Sequence, residues 1–312
     1  MKNHLSRREF IGSSCLALAA ASANAADDDL PAIDIHQHPG FKGRSDDRVL
    51  AHQRAMGMKI SFILPAGTPV NLPSTHNGKT NGLAAGASPV DAAVELVKRH
   101  PKELRFFANE VPDMPDAKKN FEKYLGMGAI GIGEQKFKLP IDSKPMLQMY
   151  DIAKHFGVPI LMHFQYNMYN LGIERFHKIL EKYPTVNFIG HAQTFWGNID
   201  RHHDQKAMYP KGKVTPGGIS DRLLSDYPNM YGDHSAGSGL NALMRDKEHA
   251  VPFLTRHQDK LMFGSDCYDV LGRGPSCRGA NLKKGLIELA PSKKVLRKIM
   301  YENANRLFKL NA

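Results

Sequence analysis

The side chains in this chain best suited to chemistry are histidines and carboxylates at the ends of apolar runs. Residues 32–40 read AIDIHQHPG, which places His36 and His38 one residue apart just before a Pro-Gly break. On a strand, that spacing turns both imidazoles to one side, as two ligands of one cation must be. With 15 histidines in 312 residues, chance alone gives roughly 0.7 such pairs per chain. The pair therefore needs support from elsewhere, and four further runs supply it. GIGEQK carries Glu134 and Lys136, ILMHF ends near His163, FIGHA near His191 and LMFGSD on Asp266. Imidazole nitrogens and carboxylate oxygens suit Zn²⁺ or a similar divalent ion, with one position left open for water. Such an ion lowers the pKa of its water from near 16 towards about 7 and polarises a substrate carbonyl. A carboxylate beside that water, here Asp266, accepts its proton and passes it to the leaving group.

For these residues to meet, the elements carrying them must share one rim. Eight β-rich runs cover residues 32–36, 59–64, 104–110, 129–136, 158–164, 186–191, 229–234 and 261–266. Between them lie amphipathic segments such as SPVDAAVELVKRH, KPMLQMYDIAKHFG and GIERFHKILEKYP, several ending at Gly or Pro before the next strand. A last segment, SKKVLRKIMYENANRLFKL, spaces Val295, Ile299 and Leu307 to pack on a wall of strands. Eight β-then-α units in one domain-sized chain predict an α/β fold, a (β/α)₈ TIM barrel of the metal-dependent hydrolase type. A doubly wound sheet is disfavoured because no Gly-rich phosphate fingerprint follows the first strand. In the barrel, His36, His38, Glu134, Lys136, His163, His191 and Asp266 all reach the rim where active sites form. Residues 66–88 and 193–218 are long loops on that side and are expected to shape the pocket.

The N-terminus reads as an address. Ser6-Arg7-Arg8-Glu9-Phe10 is a twin-arginine pattern, followed by an Ala-rich apolar stretch and Ala23-Asn24-Ala25. This predicts a signal over residues 1–25, read by the twin-arginine export machinery, and a single domain over residues 26–312 in the periplasm or otherwise exported. The apolar run from Ile11 to Ala21 is about half of what spans a bilayer, so no stable membrane anchor is expected. Loss of Lys2, Arg7, Arg8 and Glu9 takes the net charge from +11 to +9. The remaining charge is dispersed and not interleaved with aromatics. That pattern argues against nucleic acid and for a small substrate, anionic ones included. Cys267 and Cys277 remain after cleavage, either as a disulfide closing a short loop or as two thiols. Without a CxxC pattern, the expected metal ligands are His and carboxylate.

The ordered set resembles the amidohydrolase superfamily: HxH on the first strand, Glu or Lys on the fourth, His on the fifth and sixth, Asp on the eighth. GAIGIGEQKF, GVPILMHF, NFIGHAQTFW, LMFGSD and the closing ENANRLF make the chain most similar to the amidohydrolase-2 branch, over nearly its whole length. The resemblance implies His36, His38 and Asp266 as ligands of the more buried metal. It implies His163 and His191 for a second metal or for substrate, with a bridging side chain from the fourth strand. Both Glu134 and Lys136 are available there. Glu134 is favoured because an ionised carboxylate binds metal without prior modification, which leaves Lys136 to orient an anionic group.

Three lesser candidates complete the set. Asp34, in phase with the histidines, is either a partner to a ligand imidazole or a strand-start hydrogen-bonder. His234 in YGDHSAGSG and Trp196, the only tryptophan, are candidates for substrate contact. The expected activity is hydrolysis of an ester, lactone or amide with one or two divalent ions, Zn²⁺ foremost. The rivals are non-oxidative decarboxylation of an aromatic or unsaturated acid, and a non-catalytic exported binding protein.

Overall fold

The computed structural model describes residues 30–76 and 86–312. The twin-arginine segment and part of the loop at 66–88 lie outside the described residues. Residues 31–312 form one compact unit.

Eight parallel strands run β1 (Ala32–Gln37), β2 (Met58–Ile63), β3 (Leu104–Phe106), β4 (Ile132–Gln135), β5 (Ile160–His163), β6 (Phe188–His191), β7 (Met230–Asp233) and β8 (Leu261–Met262). Regular pairing links β1 to β3 in one group and β4 to β8 in another. Backbone hydrogen bonds close both seams. Past β3, Ala108 N–H donates to Gly131 O and Gly133 N–H to Ala108 O, each at 2.9 Å. Beside β8, Ile35 N–H donates to Phe263 O at 3.1 Å and Asp266 N–H to His36 O at 2.8 Å. The order is that of a closed (β/α)₈ barrel, as the alternation of periods predicts. β3 and β8 are shorter than the runs 104–110 and 261–266: past β3, Glu110 turns its carboxylate onto the Thr68 and Val111 N–H groups, and past β8, Asp266 takes a left-handed φ of +43°.

The intervening helices include α1 (Asp46–Ala55), α2 (Val90–Arg99), α3 (Ala117–Gly126), α4 (Lys144–Phe156) and α5 (Phe176–Lys182). α4 ends at Gly157 with φ +65°, a left-handed cap that favours glycine. On β5 and β6, Leu161 and Ile189 lie two residues before His163 and His191, on the same strand face. Both belong to the apolar cluster with Ile60, Phe62, Phe107 and Met262, which Tyr301 and Phe308 of the C-terminal segment join. Phe62 and Phe308 meet edge to face with ring centroids 4.6 Å apart. Packed hydrocarbon thus lies below the histidines, and the polar ends of the same strands make the site.

Candidate metal centre

Six predicted ligands converge. His36 Nε2 lies 3.1 Å from His38 Nε2. Glu134 Oε2 is 3.7 Å from His36 Nε2 and 3.4 Å from His38 Nε2. Asp266 Oδ1 is 3.4 Å from His38 Nε2 and 4.0 Å from His36 Nε2. Two ligands bound about 2.0–2.2 Å from one ion sit about 3.0–3.5 Å apart, so the tighter of these spacings are those of a shared cation. The hydrogen bonds behind the rings say the same. His36 Nδ1 donates to Asp233 Oδ2 at 2.7 Å and His38 Nδ1 to the Leu64 carbonyl at 2.7 Å. With a proton on each Nδ1, the two Nε2 lone pairs would face each other, an arrangement that suits a cation between them.

A second group lies across the same carboxylate. Glu134 Oε1 takes a close contact from His163 Nδ1 and lies 3.7 Å from His191 Nε2. His163 Nε2 donates to Gln165 Oε1 at 3.1 Å, which leaves its Nδ1 lone pair toward Glu134. His191 Nδ1 meets Ser235 Oγ at 2.9 Å and Asp233 Oδ2 at 3.3 Å. The groups His36–His38–Glu134, Glu134–His163–His191 and His36–His191–Asp266 each gather donor atoms closely enough for one ion.

The electrostatics fit. Burial alone would raise Glu134, but His163, Lys136 and His36 hold its carboxyl well below the usual range. Burial also opposes ionisation of Asp266, and His36 and His38 overcome it. His191 is pushed down to about 4, chiefly by burial, and so presents a neutral ring. Burial would lower His36 and His38 as well, but acidic neighbours pull the other way: Asp233 and Asp266 raise His36 well above the usual imidazole range, and Asp266 and Glu134 raise His38. Two ionised carboxylates gathered with four imidazoles in a dry pocket therefore favour positive charge between them and offer a ligand set for a hard or borderline divalent cation.

Lys136 follows β4 and is half-buried, with Nζ 5.5 Å from the Tyr169 ring centroid. The Tyr169 ring in turn stands edge-on to His163 at 5.5 Å. Glu134, not Lys136, therefore stands among the ligand atoms. Asp34 takes the second of its two expected roles. Its Oδ1 accepts the backbone N–H groups of His36 at 3.0 Å and Ser265 at 2.8 Å, and touches neither imidazole.

Two expectations are corrected. Trp196 (2 % exposed) and His234 (0 %) are sealed away, with rings stacked at 4.0 Å. Trp196 Nε1 donates to the Asp233 carbonyl at 2.9 Å. On β7 the residue facing the histidines is Asp233, so the next one must point away. Neither Trp196 nor His234 offers a surface to substrate. Asp233 and Ser235 are what the sequence reading missed, although Asp233 sits at the strand-7 position equivalent to His191. Cys267 and Cys277 are unbonded thiols.

A cavity of about 410 Å³ opens beside this centre, lined in part by Gln165, Tyr169, Asn170, Arg175 and Thr194. Gln165 connects it directly to His163.

The sequence profile of the amidohydrolase family matches residues 33–310. No curated protein matches. Among solved structures, a 2,6-dihydroxybenzoate decarboxylase from Rhizobium is similar, with a TM-score of 0.55 at 14% identity over 90% of this chain and 99% of that one. A "probable 2-pyrone-4,6-dicarboxylic acid hydrolase" from Acinetobacter baumannii gives 0.56 at 10% identity, over 89% and 99%. A 5-carboxyvanillate decarboxylase from Novosphingobium aromaticivorans, described with manganese and a nitrobenzoic acid, gives 0.51 at 14%, over 84% and 79%.

Proposed function

The chain belongs to the amidohydrolase family, and from that premise we propose that it is a hydrolase of small esters, lactones or amides that works with two divalent cations, Zn²⁺ foremost. The observation that carries this reading is the orientation of Glu134. Its Oε2 faces His36 and His38, and its Oε1 faces His163 and His191. A carboxylate with one oxygen toward each histidine pair could serve as a ligand to an ion held by each pair.

Bound there, the ions would supply a water ionised near neutral pH and a polarised carbonyl. The protein groups do the rest. Asp266 has its side chain 18% exposed, against 0–6% for His36, His163 and Glu134, so it is the carboxylate that meets incoming water. It takes the water's proton and returns it to the departing oxygen or nitrogen. Lys136 holds an anionic substituent of the substrate near Tyr169, and Gln165 carries the site into the adjoining cavity. Export by the twin-arginine route completes the reading. N-terminal sequencing of secreted protein would check it, with Ala26 as the expected first residue.

A second reading, non-oxidative decarboxylation of an aromatic acid, draws on the two decarboxylases of the same fold. One experiment separates the two. Lactones, aryl esters, amides and hydroxybenzoic acids are incubated with the metal-loaded enzyme in ¹⁸O-water. Hydrolysis places one ¹⁸O in the product acid without release of CO₂, and Asp266→Asn abolishes it. Release of CO₂ with no ¹⁸O in the organic product would replace the first reading by the second.

A further inference from the structure

Away from the rim, a second set of soft donors is buried between α1 and the loop that follows β8. Cys277 Sγ lies 3.8 Å from Cys267 Sγ and 3.4 Å from His52 Nε2. The three residues are 0–1% exposed. Their donor atoms gather closely enough for one ion. A tetrahedral Zn²⁺ with Zn–S of about 2.3 Å and Zn–N of about 2.0–2.1 Å has an S–S edge of about 3.8 Å and an S–N edge of about 3.5 Å. The two distances at Cys277 match these edges. A fourth soft donor is at hand in the Met56 thioether, 4.0 Å from Cys277 Sγ.

The surroundings suit thiolates. Cys277 precedes the helix Arg278–Leu289, and its sulfur accepts the Ala280 N–H at 3.4 Å. The buried Arg44 guanidinium lies close enough to feel both sulfurs. His52 is braced from behind: its Nδ1 meets the Gln53 amide at 3.2 Å, and that amide is held by Ser61 Oγ at 2.7 Å. Turning the amide over places its oxygen on Nδ1–H and its NH₂ on Ser61, with both contacts kept. That frees the Nε2 lone pair for a metal, the same device that the rim histidines use.

We propose that His52, Cys267 and Cys277, with Met56 as the weak fourth donor, form a structural Zn²⁺ site separate from the catalytic rim. Binding displaces the two thiol protons to solvent as two S–Zn bonds form, with no change of oxidation state. The site contains no CxxC because its ligands come from a helix and from both ends of a loop. Cys267 directly follows Asp266, so the ion would pin the loop 267–277 to α1 and fix the chain that carries the proposed proton acceptor.

Cobalt substitution tests this on the full chain, with Cys15→Ser removing the third thiol. The reduced protein is loaded with Co²⁺ under anaerobic conditions. The rim offers only nitrogen and oxygen donors, so a thiolate-to-cobalt charge-transfer band can come only from Cys267 and Cys277. The band is expected in this protein and in the His36→Ala/His38→Ala variant, lost in Cys277→Ser, and bleached by excess Zn²⁺. The spectrum before any cysteine substitution decides the matter even if Cys277→Ser fails to fold. Absence of the band, with both thiols reacting after denaturation in chelator, would overturn the proposal. So would finding no reactive thiol in unreduced protein, which would mean a disulfide. Neither result touches the rim, whose ion count is read in Cys277→Ser if that variant folds and otherwise from its separate loss in His36→Ala/His38→Ala.

Discussion

The two ends of strand pairing around β6 and β7 hold histidines with opposite fates. His191 closes β6, faces the barrel axis, and has Nδ1 tied to Ser235 at 2.9 Å while Nε2 looks toward Glu134 and Asp266. His234 comes one residue after β7, lies flat on Trp196, and has no close hydrogen-bond partner for either nitrogen. Both are buried and both read as rim histidines from their strands. The difference is phase: an imidazole becomes a ligand when one nitrogen is held by the protein and the other is aimed at shared space. Burial without that arrangement yields a packing ring.

The sharpest way to break the comparison is to remove the held pair. His36→Ala/His38→Ala is expected to lose at least one equivalent of metal by elemental analysis. Hydrolysis should fall on the order of 10³-fold or more, since several kcal/mol of charge stabilisation leave with the ion. A variant that keeps its metal and its turnover would reduce AIDIHQHPG to the end of a strand.

The next effect is smaller and isolates the support. Asp233 Oδ2 accepts from His36 Nδ1 at 2.7 Å and from Ser235 Oγ at 2.8 Å. Asp233→Asn keeps the shape but loses the charge that fixes the His36 tautomer. Metal affinity is expected to weaken about 10- to 100-fold, measured by competition with a chelating dye. An unchanged affinity would mean that the orientation of His36 comes from packing alone.

This contrast also marks how far the sequence carries. Eight strands, their order and the six rim donors follow from apolar runs that end in His, Glu or Asp, because period and terminus are local properties. The chemistry of an unmodified carboxylate favours Glu134 over Lys136, and it is Glu134 whose oxygens lie among the histidine nitrogens. Asp233 escaped because its role lies in a bond to a residue 197 positions away, which no local pattern records. His234 misled because a strand boundary misplaced by one residue reverses which side chain faces inward. The soft triad of His52, Cys267 and Cys277 escaped for a related reason. Two of its donors are ten residues apart in a loop whose path depends on the closed barrel.

The smallest predicted effect on activity sharpens the comparison from its other side. His234→Phe keeps a flat ring on Trp196 and removes a titratable group that takes no part in the rim. Turnover and metal content are expected to stay within about 2-fold of the parent, as for substitutions that leave the chemistry untouched. Stability should respond instead. Burial pushes His234 down to about 3 in the folded chain, against about 6.5 when unfolded. Below pH 6.5 the unfolded chain therefore binds a proton that the folded chain refuses. Folded stability falls with pH by about 1.4 kcal/mol per unit until the folded ring titrates. His234→Phe lacks that contribution, so its denaturation midpoint should fall less steeply than the parent's from pH 6.5 to about 4. Parallel acid limbs for the two proteins would show that the ring finds a proton partner when folded. In that case the distinction between His191 and His234 would rest on orientation alone.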